Sequence, residues 1–446
     1  LRRTSFTAPR AAPRAAATRA AAATGLAFAG ALLLAACTAG GPASETGAAS
    51  NSAGTPGAAG APSSTPVADD DDLTPDTSFT ALMASPTTTP APVLGSDGKV
   101  HLAYELLLSN AVALPYTMTS LDVTDPTTGD TLLTIGPDTL HRAITRLGDD
   151  AEGIDEVGPL TFPQAETRIA WIDVAVDPGA VPTKLQHTAN GSLALPNGDT
   201  AEIDAVINTS PVSDTEAQVV SSPVQAGDWY MSEGCCSSYT HHRNGFAPVN
   251  GQGLVPQRFA IDFFKVDEEG KTWEGDPSRL ESYFSYREPI VSATAGTVVR
   301  AVDIFENTDA APEPPTVPPI VETVGNHVVV ELETGEYLLY GHMDPGSVKV
   351  KVGDTVAVGD ELGLIGSSGN STTPHLHFQL QTEPTFFPTD SLPYVFDEFT
   401  LLGSVPDRIW DDDLGLEPTG QLPFDKIDPS DRTNELPLDR TVIRLG

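Results

Sequence analysis

Alternation of apolar and polar positions, not helical periodicity, runs through most of this chain. Between residues 78 and 222 the segments "KVHLAYELLLSNAV" (99–112), "TMTSLDVTD" (117–125), "ETRIAWIDVAVD" (166–177) and "AEIDAVINT" (201–209) are rich in β-formers. Turn signals such as "SDGK", "TTGD", "DPG" and "PNGD" divide them, and strands at this spacing predict an antiparallel β-sandwich. In "RIAWIDVAVD", Ile169, Trp171, Asp173 and Ala175 point one way and Ala170, Ile172, Val174 and Val176 the other, so at least one face is apolar. His101, His141 and His187 lack ligand spacing and read as ordinary surface or core histidines. The sandwich therefore carries no chemistry of its own, and binding or spacing is the role expected of it.

Residues 223–403 are again strand-rich, in "RFAIDFF", "PIVSATAGTVVRAVD", "GNHVVVELETGEYLLYGHM", "SVKVKVGDTVAVGDELGLIG" and "HLHFQL". A charged, aromatic insertion (265–286) and a proline-rich one (305–323) interrupt them, the latter reading as an irregular loop. Residues 404–446, acidic with recurring prolines, read as a mostly irregular tail. The fold class predicted is all-β: an N-terminal antiparallel sandwich followed by a C-terminal antiparallel sheet domain.

The N-terminal stretch breaks the alternation. Residues 1–36 hold five arginines and no acid, and lead through "GLAFAGALLLAA" to Cys37, the layout of a secretory signal peptide. The apolar run is shorter than the roughly 20 residues a membrane span needs. "LAAC" resembles the lipobox of bacterial lipoproteins, which implies cleavage before Cys37, diacylglycerol on its sulfur, and attachment to the outer face of the cell membrane. Residues 37–77 are mostly Ala, Gly, Ser, Thr, Pro and Asp, too polar to offset their ordering entropy, and read as a disordered lipid-anchored tether. The formal net charge of −37 becomes more negative once the arginine-bearing leader is removed. Such a surface repels nucleic acid and anionic lipid alike, so membrane contact is expected through the lipid alone. The run Asp69–Asp72 lacks the spacing of a calcium loop. Cys235 and Cys236 are adjacent with no other partner, leaving a vicinal disulfide, free thiols or a metal site open.

Candidate chemistry sits in "HLHFQL". Alternation puts His375, His377 and Gln379 on one side, Leu376, Phe378 and Leu380 on the other. "YLLYGHM" ends in His342, on the face that alternation assigns to Leu338 and Tyr340. "RFAIDFF" offers Asp262 among apolar neighbours, on the face assigned to Arg258. A carboxylate in so apolar a strand needs a partner, either a metal or an arginine. Imidazole plus carboxylate with an open position is the donor set of a catalytic zinc. His327, in "GNHVVV", reads as an ordinary residue of the sheet surface.

The succession "PIVSATAGTVV", "GNHVVVE", "YLLYGHM", "VKVGDTVAVGDELGLIGSSGNSTTPHLHFQL" resembles the core domain of the lysostaphin-type zinc endopeptidases that cleave peptidoglycan. The resemblance implies zinc ligation by Asp262 and His377. It also implies that His342 and His375 flank the attacking water and the developing oxyanion, and that the substrates are wall stem or bridge peptides. The family pattern has a histidine four residues before the aspartate; here that position is Arg258, whose guanidinium has donors only. Three readings follow. His242, or else His241, of "THHRNG" substitutes as ligand, with Arg258 beside the site pairing Asp262 or a substrate carboxylate. Two protein ligands and solvent hold the zinc. Or the domain is a non-catalytic relative that binds peptidoglycan or regulates another hydrolase. The glycine-punctuated "VKVGDTVAVGDELG" also resembles biotinyl and lipoyl carriers, but the tip "GSSGNS" lacks their lysine. A phosphocarrier with paired histidines is cytosolic and conflicts with the export signal.

Overall fold

The computed structural model describes residues 78–446 apart from 149–155, 238–239, 310–322, 407–421 and 423–424. The leader, Cys37, the tether and most of the proline-rich insertion lie outside the described residues. The chain is almost entirely β, in antiparallel sheets, with two four-residue helical turns among the described residues.

The N-terminal half is a sandwich. One sheet runs Leu82–Pro86, Val100–Asn110, Thr167–Val176, Ile144–Arg146; the other runs Thr200–Glu202, Lys184–Ala194, Tyr116–Thr124, Thr131–Ile135. Their inner faces interdigitate through Leu102, Tyr104, Leu106, Leu108, Ile172 and Val174 against Met118, Leu121, Val123 and Leu185. Period-two alternation delivers these to the core, with a bulge between Met118 and Ser120 resetting the phase ahead of Leu121 and Val123. The outer face of the first sheet is apolar too: Ile169 and Trp171 pack on Val255, with Leu107 and Phe246 beside them. That second apolar face is covered by the C-terminal half, and residues 74–446 form one compact unit. Gln218–Val220 pairs in parallel with Tyr394–Phe396, so the chain enters the second half's packing before residue 222.

The second half is built on an eleven-stranded antiparallel sheet. Ten of its strands run in the order Thr355–Val356, Gly296–Val302, Asn326–Glu331, Tyr337–Met343, Leu376–Gln381, Ile261–Val266, Gly227–Ser232, Thr441–Leu445, Phe399–Ser404, Asp425–Arg432, and the eleventh, Ser391–Leu392, pairs with Leu376–Gln381 off that path. Leu376, Phe378 and Leu380 pack with Ile261, Phe263, Leu338 and Tyr340 into one continuous core. The opposite face of the same strands carries the polar groups.

Two expectations fail here. The tail is not irregular: Thr441–Leu445 lies between Gly227–Ser232 and Phe399–Ser404, with Val442, Ile443 and Leu445 buried. "TVIRL" is a short β-branched run, and the acidic stretch before it forms an exposed edge strand with Pro429, where charge and proline are tolerated. His327 is buried rather than on the surface, its Nδ1 donating to Gly325 O at 2.7 Å, and burial pushes its pKa down to about 4. Cys235 and Cys236 are disulfide-bonded to each other.

Candidate metal centre

The site begins with register. Asp262 and His377 are cross-strand partners, as are Gly341 and His377, so the three residues share the polar face. His377 Nδ1 lies 2.9 Å from Asp262 Oδ1. His375 stands just before the strand and turns Nε2 to 3.4 Å from Asp262 Oδ2, its ring stacked on Phe264.

His342 reaches the same space by a different device. Leu338 and Tyr340 go into the apolar core, and alternation sends His342 after them. Instead His342 has φ +57°, the left-handed region that a branchless glycine tolerates best. The turn carries its ring to the polar face, with centroids 4.7 Å from His375 and 5.7 Å from His377. The face expected of His342 is thus corrected, for a backbone reason that alternation does not encode.

His242 comes from the helical turn His241–Asn244, about twenty residues before the strand. Thr240 caps it by accepting from Arg243 N, and Glu233 Oε2 accepts from His241 N at 2.8 Å. His242 is fully buried, with Nε2 at 3.6 Å from Asp262 Oδ2 and its ring 4.8 Å from that of His377. His241 is more than half exposed and sits on Glu233 Oε2 at 3.0 Å, although its ligand atom, that of His242 and that of Asp262 all lie within 4.8 Å of one another.

Arg258 is not at the site, contrary to expectation. The strand starts at Ile261, so alternation cannot be extended back through the turn that holds Arg258. Its guanidinium donates to both oxygens of Glu105 in the sandwich and, at 2.7 Å, to Asp390. It is buried and does not pair with Asp262.

Hydrogen bonds outside the cluster set the tautomers. His242, His342 and His375 donate Nδ1–H to the backbone carbonyls of Glu233, Ser368 and Thr373 at 2.9, 2.7 and 2.8 Å. Each therefore offers Nε2 as a lone pair. His377 is reversed by a buried amide relay: Gln381 donates to Glu383 O, Gln379 donates to Gln381 Oε1, and His377 Nε2–H donates to Gln379 Oε1. The carbonyl at the end accepts only, which fixes both amide orientations and leaves the lone pair of His377 on Nδ1, toward Asp262. The relay residues were missed as functional, although they continue the alternation that brings His375 and His377 to this face.

Burial pushes the pKa of His242 well below its ordinary value, with His241 and His377 adding to the effect. Burial does the same for His342, aided by His375 and His377. A buried carboxylate is thus ringed by nitrogen lone pairs, acceptor against acceptor at 3.4 and 3.6 Å. Nothing in that set supplies a fixed positive charge, and the donors fit a small divalent cation of the nitrogen- and oxygen-binding kind.

Comparison with known proteins agrees with this chemistry. Residues 282–387 match the model of Peptidase family M23. Endolysin 2638A of Staphylococcus phage 2638A is 29% identical over 137 residues, 27% of this chain and 28% of that protein. Cell division protein DipM of Caulobacter vibrioides is 37% identical over 65 residues, 15% of this chain and 10% of that one. The chain thus spans little more than a quarter of the first of these relatives and a tenth of the second. Among solved structures, the catalytic domain of lysostaphin from Staphylococcus simulans overlays 38% of this chain and 88% of its own, at 20% identity and a TM-score of 0.21, too low to carry an argument. His342, His375 and His377 fall inside the residues similar to that family, and Asp262 and His242 lie before them.

Proposed function

We propose that the chain is a zinc-dependent endopeptidase that cleaves peptides of bacterial peptidoglycan and is held at the outer face of the membrane by lipid on Cys37. The observation that carries the reading is the buried carboxylate of Asp262 surrounded by imidazole lone pairs with externally fixed tautomers. His242 through Nε2, Asp262, and His377 through Nδ1 are the ligands in this reading. Zinc in that position supplies Lewis acidity to a scissile carbonyl and to an attacking water. His342, kept neutral by burial, takes the proton of that water on Nε2 and passes it to the leaving amine. His375 faces the same space, beside the developing oxyanion. The M23 match supports peptidoglycan as the substrate class, and the leader and "LAAC" support the anchor.

The non-catalytic alternative drew its support from Arg258. Arg258 engaged by Glu105 and Asp390, and His242 turned to Asp262, support the catalytic reading over it. The test is zinc content of the purified chain, then release of peptides from isolated cell walls with and without a chelator. One bound zinc and chelator-sensitive lysis are expected; a chain that takes up no zinc when it is supplied in excess sinks the reading. For the anchor, Cys37→Ala is expected to release the protein from membranes into the medium.

A further inference from the structure

The sandwich strand Val100–Asn110 has two faces with different partners. Leu102, Tyr104, Leu106 and Leu108 fill the sandwich core, whereas Ala103 belongs to the core of the second half and Leu107 packs beside Val255. Glu105 lies between these two on the outer face and is 0% exposed. A carboxylate there demands countercharge. It receives two guanidiniums: Arg243 donates from Nη1 to Oε1, and Arg258 from Nε and Nη2 at 3.0 and 2.8 Å. Thr87 adds its hydroxyl at 2.7 Å, and Arg243 Nη2 also reaches Ile172 O, on the neighbouring sandwich strand, at 3.2 Å.

Arg243 is the residue after His242. The turn His241–Asn244 belongs to no sheet, so its position has to come from side chains and caps. Glu233 holds the start of the turn, through His241 N and His242 Nδ1, but nothing from that residue reaches past His242. The Arg243 guanidinium, forked between a buried carboxylate and a strand carbonyl, supplies the second anchor one residue on. Resting on the reading of His242 as a ligand, we propose that Glu105 is a positioning residue of the metal centre: through Arg243 it holds the His242 turn against Asp262, and so makes the sandwich part of the site. Arg258, standing where the family pattern has its histidine, serves the same clamp. This replaces spacing as the role of the sandwich.

The test uses the full chain and measures zinc affinity by competition with a chromophoric chelator, together with the visible spectrum of the cobalt-substituted protein. Glu105→Gln and Arg243→Lys are compared with Tyr104→Phe, which breaks a buried 2.7 Å bond to His187 inside the sandwich without touching the clamp. Glu105→Gln and Arg243→Lys are expected to weaken zinc binding ~10–100-fold, the range for loss of an outer-shell partner, and to alter the cobalt bands. Tyr104→Phe is expected to bind as wild type. Wild-type affinity in folded Glu105→Gln overturns the proposal, and if that variant does not fold, Arg243→Lys decides in the same way. Equal weakening by Tyr104→Phe also overturns it, since the loss is then one of general stability. A wild-type chain that binds no zinc removes both this inference and the function it rests on, which separates the two failures.

Discussion

Asp262 and Glu105 are both buried carboxylates, and consecutive residues of one helical turn, His242 and Arg243, face them. Their surroundings are opposite. Glu105 is met by two guanidiniums that never lose their charge, whereas Asp262 is met by imidazoles whose lone pairs point at it. The first carboxylate is satisfied within the chain and serves as a fixed joint. The second is left short of positive charge, and that shortage is what a cation fills. Burial of an acid alone does not mark a metal site; the sign of what surrounds it does.

The largest effect is expected where the shortage is abolished. Asp262→Asn keeps the shape of the side chain and removes its charge, so bound zinc should fall from one equivalent to trace and wall lysis to background. Elemental analysis of the dialysed variant checks this, and a variant that retains its zinc contradicts the assignment of Asp262. The apo fold should survive, because the lone pairs then face a neutral amide whose NH2 is a donor.

At the other carboxylate the order of effects reverses. Glu105→Gln leaves a buried guanidinium uncompensated and should cost about 3–5 kcal/mol of unfolding free energy, read from denaturant midpoints. If it costs less than about 1 kcal/mol, the difference between joint and receptor drawn above is wrong, since surface pairs give as much.

How far the sequence exposes these two clusters differs in the same way. The strand-borne part of the metal centre is legible, because "HLHFQL" and "AIDFF" alternate and cross-strand register does the rest. His342 is legible as a candidate but not in its facing, because a left-handed residue overrides the period of two. His242 is legible only through the absence of a better histidine, since a turn anchored by Glu233 and Glu105 has no periodicity to read. The clamp itself is invisible: Glu105 looks like a solvent-facing residue of an amphipathic strand until the second half covers it. The same covering explains why "RIAWIDVAVD" is apolar on both faces. The tail strand "TVIRL" is hidden differently: five residues after an acidic, proline-bearing stretch are too short a run for alternation to stand out.

The clamp should also have a pH signature. Burial pushes Glu105 up, but Arg258 and Arg243 outweigh it and bring the carboxyl from 4.5 to about 2. For an acid with a depressed native pKa, the unfolded chain binds the proton first as pH falls. The stabilisation is thus full above about pH 4.5 and is lost between there and about pH 2, a span worth roughly 3 kcal/mol. The stability gap between wild type and Glu105→Gln is expected to be constant from pH 7 to 5 and to narrow below 4.5. A gap that narrows above pH 5 points to another group.

The smallest effect is expected from the relay, where neither charge nor a ligand is altered. Gln379→Leu removes the acceptor of His377 Nε2–H and leaves Gln381 without its donor. His377 can then adopt the tautomer with the proton on Nδ1, facing Asp262 as an ordinary hydrogen-bond donor. That tautomer satisfies the carboxylate from within the chain, which moves Asp262 one step toward the condition of Glu105. Zinc affinity should fall ~10–100-fold with little change in the denaturant midpoint. Nitrogen-15 chemical shifts of the apo protein would show the proton moved from Nε2 to Nδ1 on His377 alone. A proton that stays on Nε2 in this variant would mean that Gln379 acts by packing and not by fixing the proton.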